Sequence, residues 1–224
     1  MQETDRHSLN SHHRPTRRKM LLGAAASAAI WPLGARAAAL APTPAQTAGP
    51  FYPRDDEKPA DRDGDLVRLR GRAGNAAGSI LHVAGRVLRP DGSPIVNARV
   101  EIWQANAKGV YNHPRDGHDP TFQGYGAVAT DRDGRYAFRT IKPAAYGSIF
   151  FRRTPHIHFR IAATGLPPLV TQMYFAGDPL NRQDGILNAV EDTAARARLI
   201  VPFRESPQIE PGSHAGQFNI VLEG

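Results

Sequence analysis

The chain contains no cysteine. That absence excludes a disulfide framework, a thiolate metal site and a cysteine nucleophile, so any bound metal must be held by nitrogen and oxygen. The alanine-rich apolar run Gly23–Leu33 is shorter than the roughly 20 residues that a membrane-spanning helix needs. There is no basic stripe with interleaved aromatics, so nucleic acid is not expected as a partner. Internal repeats of solenoid period are missing too. Helical periodicity is scarce, and only Glu191–Leu199 reads as a helix.

What is present points to β structure. The 224 residues suffice for one substantial domain with accessories. Nineteen prolines and 21 glycines call for many turns between short elements. Ser79–Leu88 alternates apolar and polar side chains and runs into the turn chemistry of Arg89-Pro90-Asp91-Gly92-Ser93-Pro94. A second strand, Ala98–Gln104, places Val100 and Ile102 on one face and Glu101 and Trp103 on the other. Residues 105–125 form a connection long enough to imply function. The turn Thr130–Arg135 leads to the strand Tyr136–Ile141, Lys142–Ser148 reads as irregular, the strand that carries His156 and His158 follows, and others come at Val170–Phe175 and Gln217–Leu222. The expected fold class is all-β, a β-sandwich of short, mostly antiparallel strands with long active-site loops and one short helix.

The net charge of +7 is uneven. Residues 1–38 hold Arg6, Arg14, Arg17, Arg18, Lys19 and Arg36 against Glu3 and Asp5; without them 22 Lys/Arg face 19 Asp/Glu, a net +3. Thr16-Arg17-Arg18-Lys19-Met20-Leu21-Leu22, the run Gly23–Leu33 and Ala35-Arg36-Ala37 follow the layout of an export signal, and the paired arginines resemble a twin-arginine signal. The expectation is cleavage near Ala37 or Ala39, a periplasmic protein, and no stable membrane span after cleavage. Residues 1–38 are then the signal, 39–78 a linker and N-terminal arm, and 79–224 the β-sandwich domain.

Arg153-Thr154-Pro155-His156-Ile157-His158-Phe159 is the densest chemistry in the chain. On a strand, residues i and i+2 share a face, so the two imidazoles stand about 7 Å apart along the chain, a workable bite for one metal ion. The plain alternative is two unrelated polar residues on a solvent face. No HxD or HxE arrangement accompanies the pair, which argues against an Fe(II) facial triad. Tyr111 and Tyr146 lie in loops; a phenol binds metal only when ionised, and each is equally readable as an aromatic capping a loop. On spacing alone the tyrosines stay unassigned.

Five ordered segments carry a resemblance. They are Gln46-Thr47-Ala48-Gly49-Pro50-Phe51-Tyr52, Ala98–Tyr111 with its Glu-Ile-Trp-Gln-Ala-Asn core, Thr130–Pro143, Arg153–Phe159, and Thr171–Phe175 followed by Gly177-Asp178-Pro179. From residue 46 to 224 the chain resembles the intradiol ring-cleavage dioxygenases, most closely the protocatechuate 3,4-dioxygenase type. The resemblance implies an Fe(3+) ion held by Tyr111, Tyr146, His156 and His158. It implies a catecholic substrate cleaved with O2 between its two hydroxyls to a cis,cis-muconate, with protocatechuate or a related catechol favoured. Tyr146 would release the metal and take a substrate proton, Arg153 would stabilise the electron-rich ring, and Gln172 would line the substrate and oxygen pocket. It further implies self-association or pairing with a related chain. Ser148 departs from the family, which often carries an aromatic two residues after the second tyrosine.

A second reading comes from a different class. Gly85-Arg86-Val87, Gly92-Ser93-Pro94-Ile95 and Thr130–Tyr136 also resemble carboxypeptidase-regulatory or transthyretin-like modules, which are non-catalytic β-sandwiches. Those motifs are turn chemistry and report fold rather than activity. Tyr146, Arg153, His156 and His158 discriminate, because a spacer module has no need of all four.

Overall fold

Alternation of side chains builds two facing sheets. In β1 (Ile80–Leu88), Leu81, Val83 and Val87 turn inward while His82 and Arg86 turn out. β1 pairs antiparallel with β4 (Arg135–Ile141), and on its other edge runs parallel to β11 (His214–Gln217) and β12 (Ile220–Val221), with β10 (Arg204–Glu205) outside β11. The second sheet has the order β3 (Tyr125–Ala129), β2 (Arg99–Trp103), β7 (His156–Ala162), β8 (Leu169–Phe175), β9 (Ile200–Val201). Its pairs are antiparallel except β8 with β9. Val83, Val87 and Phe138 from the first sheet meet Val100, Ile102, Ile157, Phe159, Ile161 and Met173 from the second in one buried core. This computed structural model describes residues 38–148 and 151–223, so the expected export signal lies outside the described residues except for Ala38.

Several elements differ from the sequence reading. The expected strand Gln217–Leu222 is broken at Phe218, between β11 and β12, where Asn219 Oδ1 accepts from Arg86 N–H at 3.0 Å. The segment 142–148 is not wholly irregular: β5 (Tyr146–Gly147) pairs with β6 (Arg152–Arg153), setting Tyr146 opposite Arg153. β3, β9 and β10 were not foreseen, because short strands carry too few residues to show a period.

The expected helix Glu191–Leu199 shrinks to α2 (Thr193–Ala197), capped by Asp192. It is not alone: a 3-10 turn Pro179–Arg182 and α1 (Gly185–Asn188) precede it, capped by Asp178 and Asp184. Each is a single turn started by an aspartate cap, too short for helical periodicity to reveal.

Residues 39–48 carry no regular secondary structure, as expected of a linker, but they are fastened down. Leu40 N–H donates to Pro90 O, Thr43 N–H to Val221 O and Gln46 N–H to Val170 O. Leu66 and Val67 are fully buried in the main core, so arm and sandwich form one compact unit. Arg139 clamps the two together, paired with Asp65 and with Glu210.

This arm explains an unusual feature of the second sheet. Its outer face would ordinarily meet water, yet Glu101, Trp103, His156, His158, Gln172 and Tyr174 are all buried there. The register lines them up, with Trp103 opposite His158, His158 opposite Gln172, and His156 opposite Tyr174. The same alternation that fills the core from one face gathers polar groups on the other, and the arm covers them.

Candidate metal centre

His156 and His158 share the outer face of β7, as their spacing requires, with Nε2 atoms 3.2 Å apart. His156 Nδ1–H donates to Thr154 O at 2.7 Å, which leaves a lone pair on Nε2. The His158 ring stacks on Trp103 with centroids 4.7 Å apart and planes 9° from parallel. Tyr111 arrives from the loop after β2, its hydroxyl 3.5 Å from His156 Nε2, and Tyr146 from β5 sets its ring edge-on to Tyr111 at 5.3 Å. Phe51, on the arm, stacks on Tyr111 at 4.6 Å and meets Tyr146 edge-on at 6.1 Å. The four residues that the resemblance implied as ligands therefore converge.

Arg153 is buried beside them. Its Nε–H donates to Asp184 Oδ2 at 2.8 Å and its Nη2 to Gln172 Oε1 at 2.6 Å. Gln172 in turn donates to Thr47 O, and Tyr174 O–H bridges to Gln46 Oε1. Asp184, Tyr174 and Gln46 were missed by the sequence reading. Strand register from His156 would have placed Tyr174, but nothing local ties Asp184 to Arg153, 31 residues away.

Burial dominates the electrostatics of this cluster. Burial pushes the Tyr111 phenol well above its usual value, and burial raises Tyr146 against the lowering influence of the Arg153 charge. Burial, reinforced by Arg153, pushes His156 down to about 3, and His158 falls well below its ordinary value through burial and then the His156 and Arg153 charges. The Thr47 carbonyl works the other way on His158 without reaching hydrogen-bond geometry with Nδ1, which is buried without a partner. Burial opposes the positive charge of Arg153, and the ion pair with Asp184 more than restores it.

In metal-free protein these two histidines are neutral when folded and become protonated when unfolded below pH about 6.5. The unfolded state then binds more protons, so stability is full above that value and is lost as pH falls, through His156 down to about 3 and through His158 in the same direction. Urea titrations between pH 7 and 4 are expected to show a loss of up to about 1.4 kcal/mol per pH unit for each histidine. A flat profile over that range contradicts the buried neutral pair.

A cleft of about 850 Å³ opens between the arm and the loop after β2. Tyr111 is the one member of the four that lines it, so the cleft lies beside the convergent donors rather than over them.

Two histidines, a buried tyrosine and a half-buried one thus converge at the outer face of one sheet of a β-sandwich. A family model described as Dioxygenase matches residues 47–224. The protocatechuate 3,4-dioxygenase beta chain of Burkholderia cepacia is 42% identical over 183 residues, covering 78% of this chain and 77% of that one. The hydroxyquinol 1,2-dioxygenase of Rhizobium sp. (strain MTP-10005) is 33% identical over 161 residues, covering 66% of this chain but only 52% of the relative. Among solved structures, catechol 1,2-dioxygenase from Acinetobacter sp. ADP1 superposes with a TM-score of 0.62 at 28% identity, covering 80% of this chain and 62% of that one.

The chain belongs to the intradiol ring-cleavage dioxygenase family and is protocatechuate 3,4-dioxygenase-like. That family uses non-haem Fe(III). The non-catalytic reading of the sandwich falls with this match, since its motifs were the turns common to both folds.

Proposed function

We propose that this chain holds Fe(III) through Tyr111, Tyr146, His156 and His158 and cleaves a catechol between its two hydroxyls with O2, giving a cis,cis-muconate. The observation that carries the reading is that His156 Nε2 lies 3.2 Å from His158 Nε2 and 3.5 Å from the Tyr111 hydroxyl. The donors suit the ion: all are nitrogen or oxygen, and phenols raised by burial ionise only beside a strong positive charge. The bound ion would supply the Lewis acidity that draws charge from a chelated catecholate.

The protein's own residues divide the remaining work. Tyr146 is less buried than Tyr111 and, once ionised on the metal, would be the one to take a proton from an incoming catechol hydroxyl. His156 keeps its proton on Nδ1, so Nε2 is presented without rearrangement. Arg153 sets a permanent positive charge beside the place where ring charge develops, and a guanidinium stays charged when desolvated. Gln172, held by Arg153 and Thr47, would line the substrate and oxygen pocket beside that guanidinium. Phe51 and Trp103 keep water from two of the donor rings.

Protocatechuate is the favoured substrate, supported by the 42% identity to the Burkholderia cepacia chain, whose description as a beta chain also supports self-association or pairing with a related chain. We further propose export to the periplasm through the twin-arginine-type signal at 1–38. Cell fractionation and N-terminal sequencing test it, and an intact, cytoplasmic N-terminus contradicts it.

A panel of catechols tests the function. Purified iron-loaded protein is expected to be red-brown from tyrosinate-to-iron charge transfer, with oxygen uptake matching muconate formation. Extradiol products, or no turnover of any catechol, overturn the reading.

A further inference from the structure

We propose that Asp184 is a positioning residue for ring cleavage, locking the Arg153 guanidinium and, through Thr154, the His156 ring in one arrangement; this rests on the roles given above to Arg153 and His156. Asp184 is fully buried, and both of its oxygens are doubly engaged. Oδ2 accepts from Arg153 Nε–H at 2.8 Å and from Thr154 N–H at 3.0 Å. Oδ1 accepts from Ile186 N–H at 3.1 Å and Leu187 N–H at 2.9 Å, the start of α1.

Thr154 passes the constraint on. Its N–H is tied to Asp184, its Oγ1 donates to Asn181 Oδ1 at 2.9 Å, and its carbonyl receives the Nδ1–H of His156 at 2.7 Å. Pro155 follows, and a residue before proline is confined to extended backbone. With the N–H anchored and the backbone stiff, the carbonyl has one orientation, which selects the His156 tautomer that leaves Nε2 open. A single carboxylate on the segment after β8 therefore sets the direction of a cation and the tautomer of a ligand.

The chemistry requires a carboxylate rather than any cap. Burial works to raise the Asp184 carboxyl, but the Leu187 N–H and Arg153 outweigh it, so the group is ionised and offsets a guanidinium that has almost no contact with water. Asn caps a helix as well as Asp does. Asp184→Asn therefore keeps α1 while putting an amide, which cannot accept on its nitrogen, against Arg153 and Thr154.

Kinetics in two backgrounds and nitrogen NMR test the proposal. Asp184→Asn is expected to lower kcat about 10–100-fold with KM changed less than about threefold, because the interaction acts on the transition state. In an Arg153→Gln background the same change is expected to add less than about twofold, since partners in one network are not additive. In the full-length chain without metal, 15N spectra are expected to show a single His156 Nδ1–H tautomer and a slowly exchanging Arg153 Nε–H, both lost in Asp184→Asn. Equal losses of kcat in the two backgrounds reveal general destabilisation and overturn the proposal, as does an unchanged tautomer with a protected Arg153 Nε–H. If the wild-type chain cleaves no catechol, the ring-cleavage reading falls by itself and the NMR measurement alone decides whether Asp184 positions the two groups.

Discussion

His158→Ala is expected to give a folded protein that retains no iron, has no colour and cleaves catechols at least about 10³-fold more slowly. The ring contributes one of two imidazole nitrogens that face each other at 3.2 Å. No Asp, Glu or Cys stands ready to replace it, since no cluster of three such metal-ligating side chains, histidine included, exists among the described residues. Two phenols and one imidazole would remain, a set that burial keeps protonated without a strongly held cation.

The fold is expected to tolerate the change. Removing the ring abandons its stack on Trp103, a loss on the order of 2 kcal/mol for a buried cavity. It also removes a buried Nδ1 that has no partner, which returns part of that cost. Elemental analysis and the visible spectrum check the prediction alongside oxygen uptake. One iron per chain with an unaltered spectrum removes His158 from the ligand set.

Gly85→Ala is expected to have the largest effect on stability, about 3 kcal/mol or more, enough to leave most of the chain insoluble at 37 °C. A Cβ at this position in β1 would lie 1.9 Å from the Phe218 carbonyl oxygen and 2.8 Å from the Tyr136 hydroxyl. The Phe218 oxygen cannot retreat, because it accepts the Tyr136 hydroxyl and Phe218 N–H donates to Ala84 O. This is the break where β11 gives way to β12, so the clash opens both parallel pairings at once. Gly165→Ala is the control. Its φ is +77° but a Cβ meets nothing within 4 Å, so only the backbone preference is lost, about 1 kcal/mol. Chemical denaturation of the two variants should separate them by at least about 2 kcal/mol.

The parts of the molecule legible in the sequence are those with period or register. Alternation located β1, β2, β4 and β8 to within a residue or two, and i, i+2 spacing put His156 and His158 on one face of β7. The tyrosines were different. Tyr111 and Tyr146 come from a loop and a two-residue strand, so only family resemblance pointed to them, and the fold then brought them to the histidines. Asp184 was not read at all, because the helix it caps is too short to show a period. Its second engagement, with Arg153 and Thr154, depends on how the chain after β8 folds back. Likewise the stretch 39–48 has a linker's composition, and what fastens it is backbone bonding to Val221, Pro90 and Val170, which no composition encodes.

That fastening sets an order of events during synthesis. Thr43 holds Val221 through two hydrogen bonds across 178 residues, one from each backbone N–H. The arm that covers the histidines therefore gains its anchors in the order Pro90, Val170 and Val221, and is not fully fastened until β12 has been made. Until then the cover over the outer face of the second sheet, with its imidazoles, is incompletely held. Contacts so distant in sequence also form slowly, on a scale of milliseconds to seconds. The interval in which a metal ion can reach the donors unhindered is the interval before the arm closes, and a chain given iron during refolding should load more completely than one given iron afterwards.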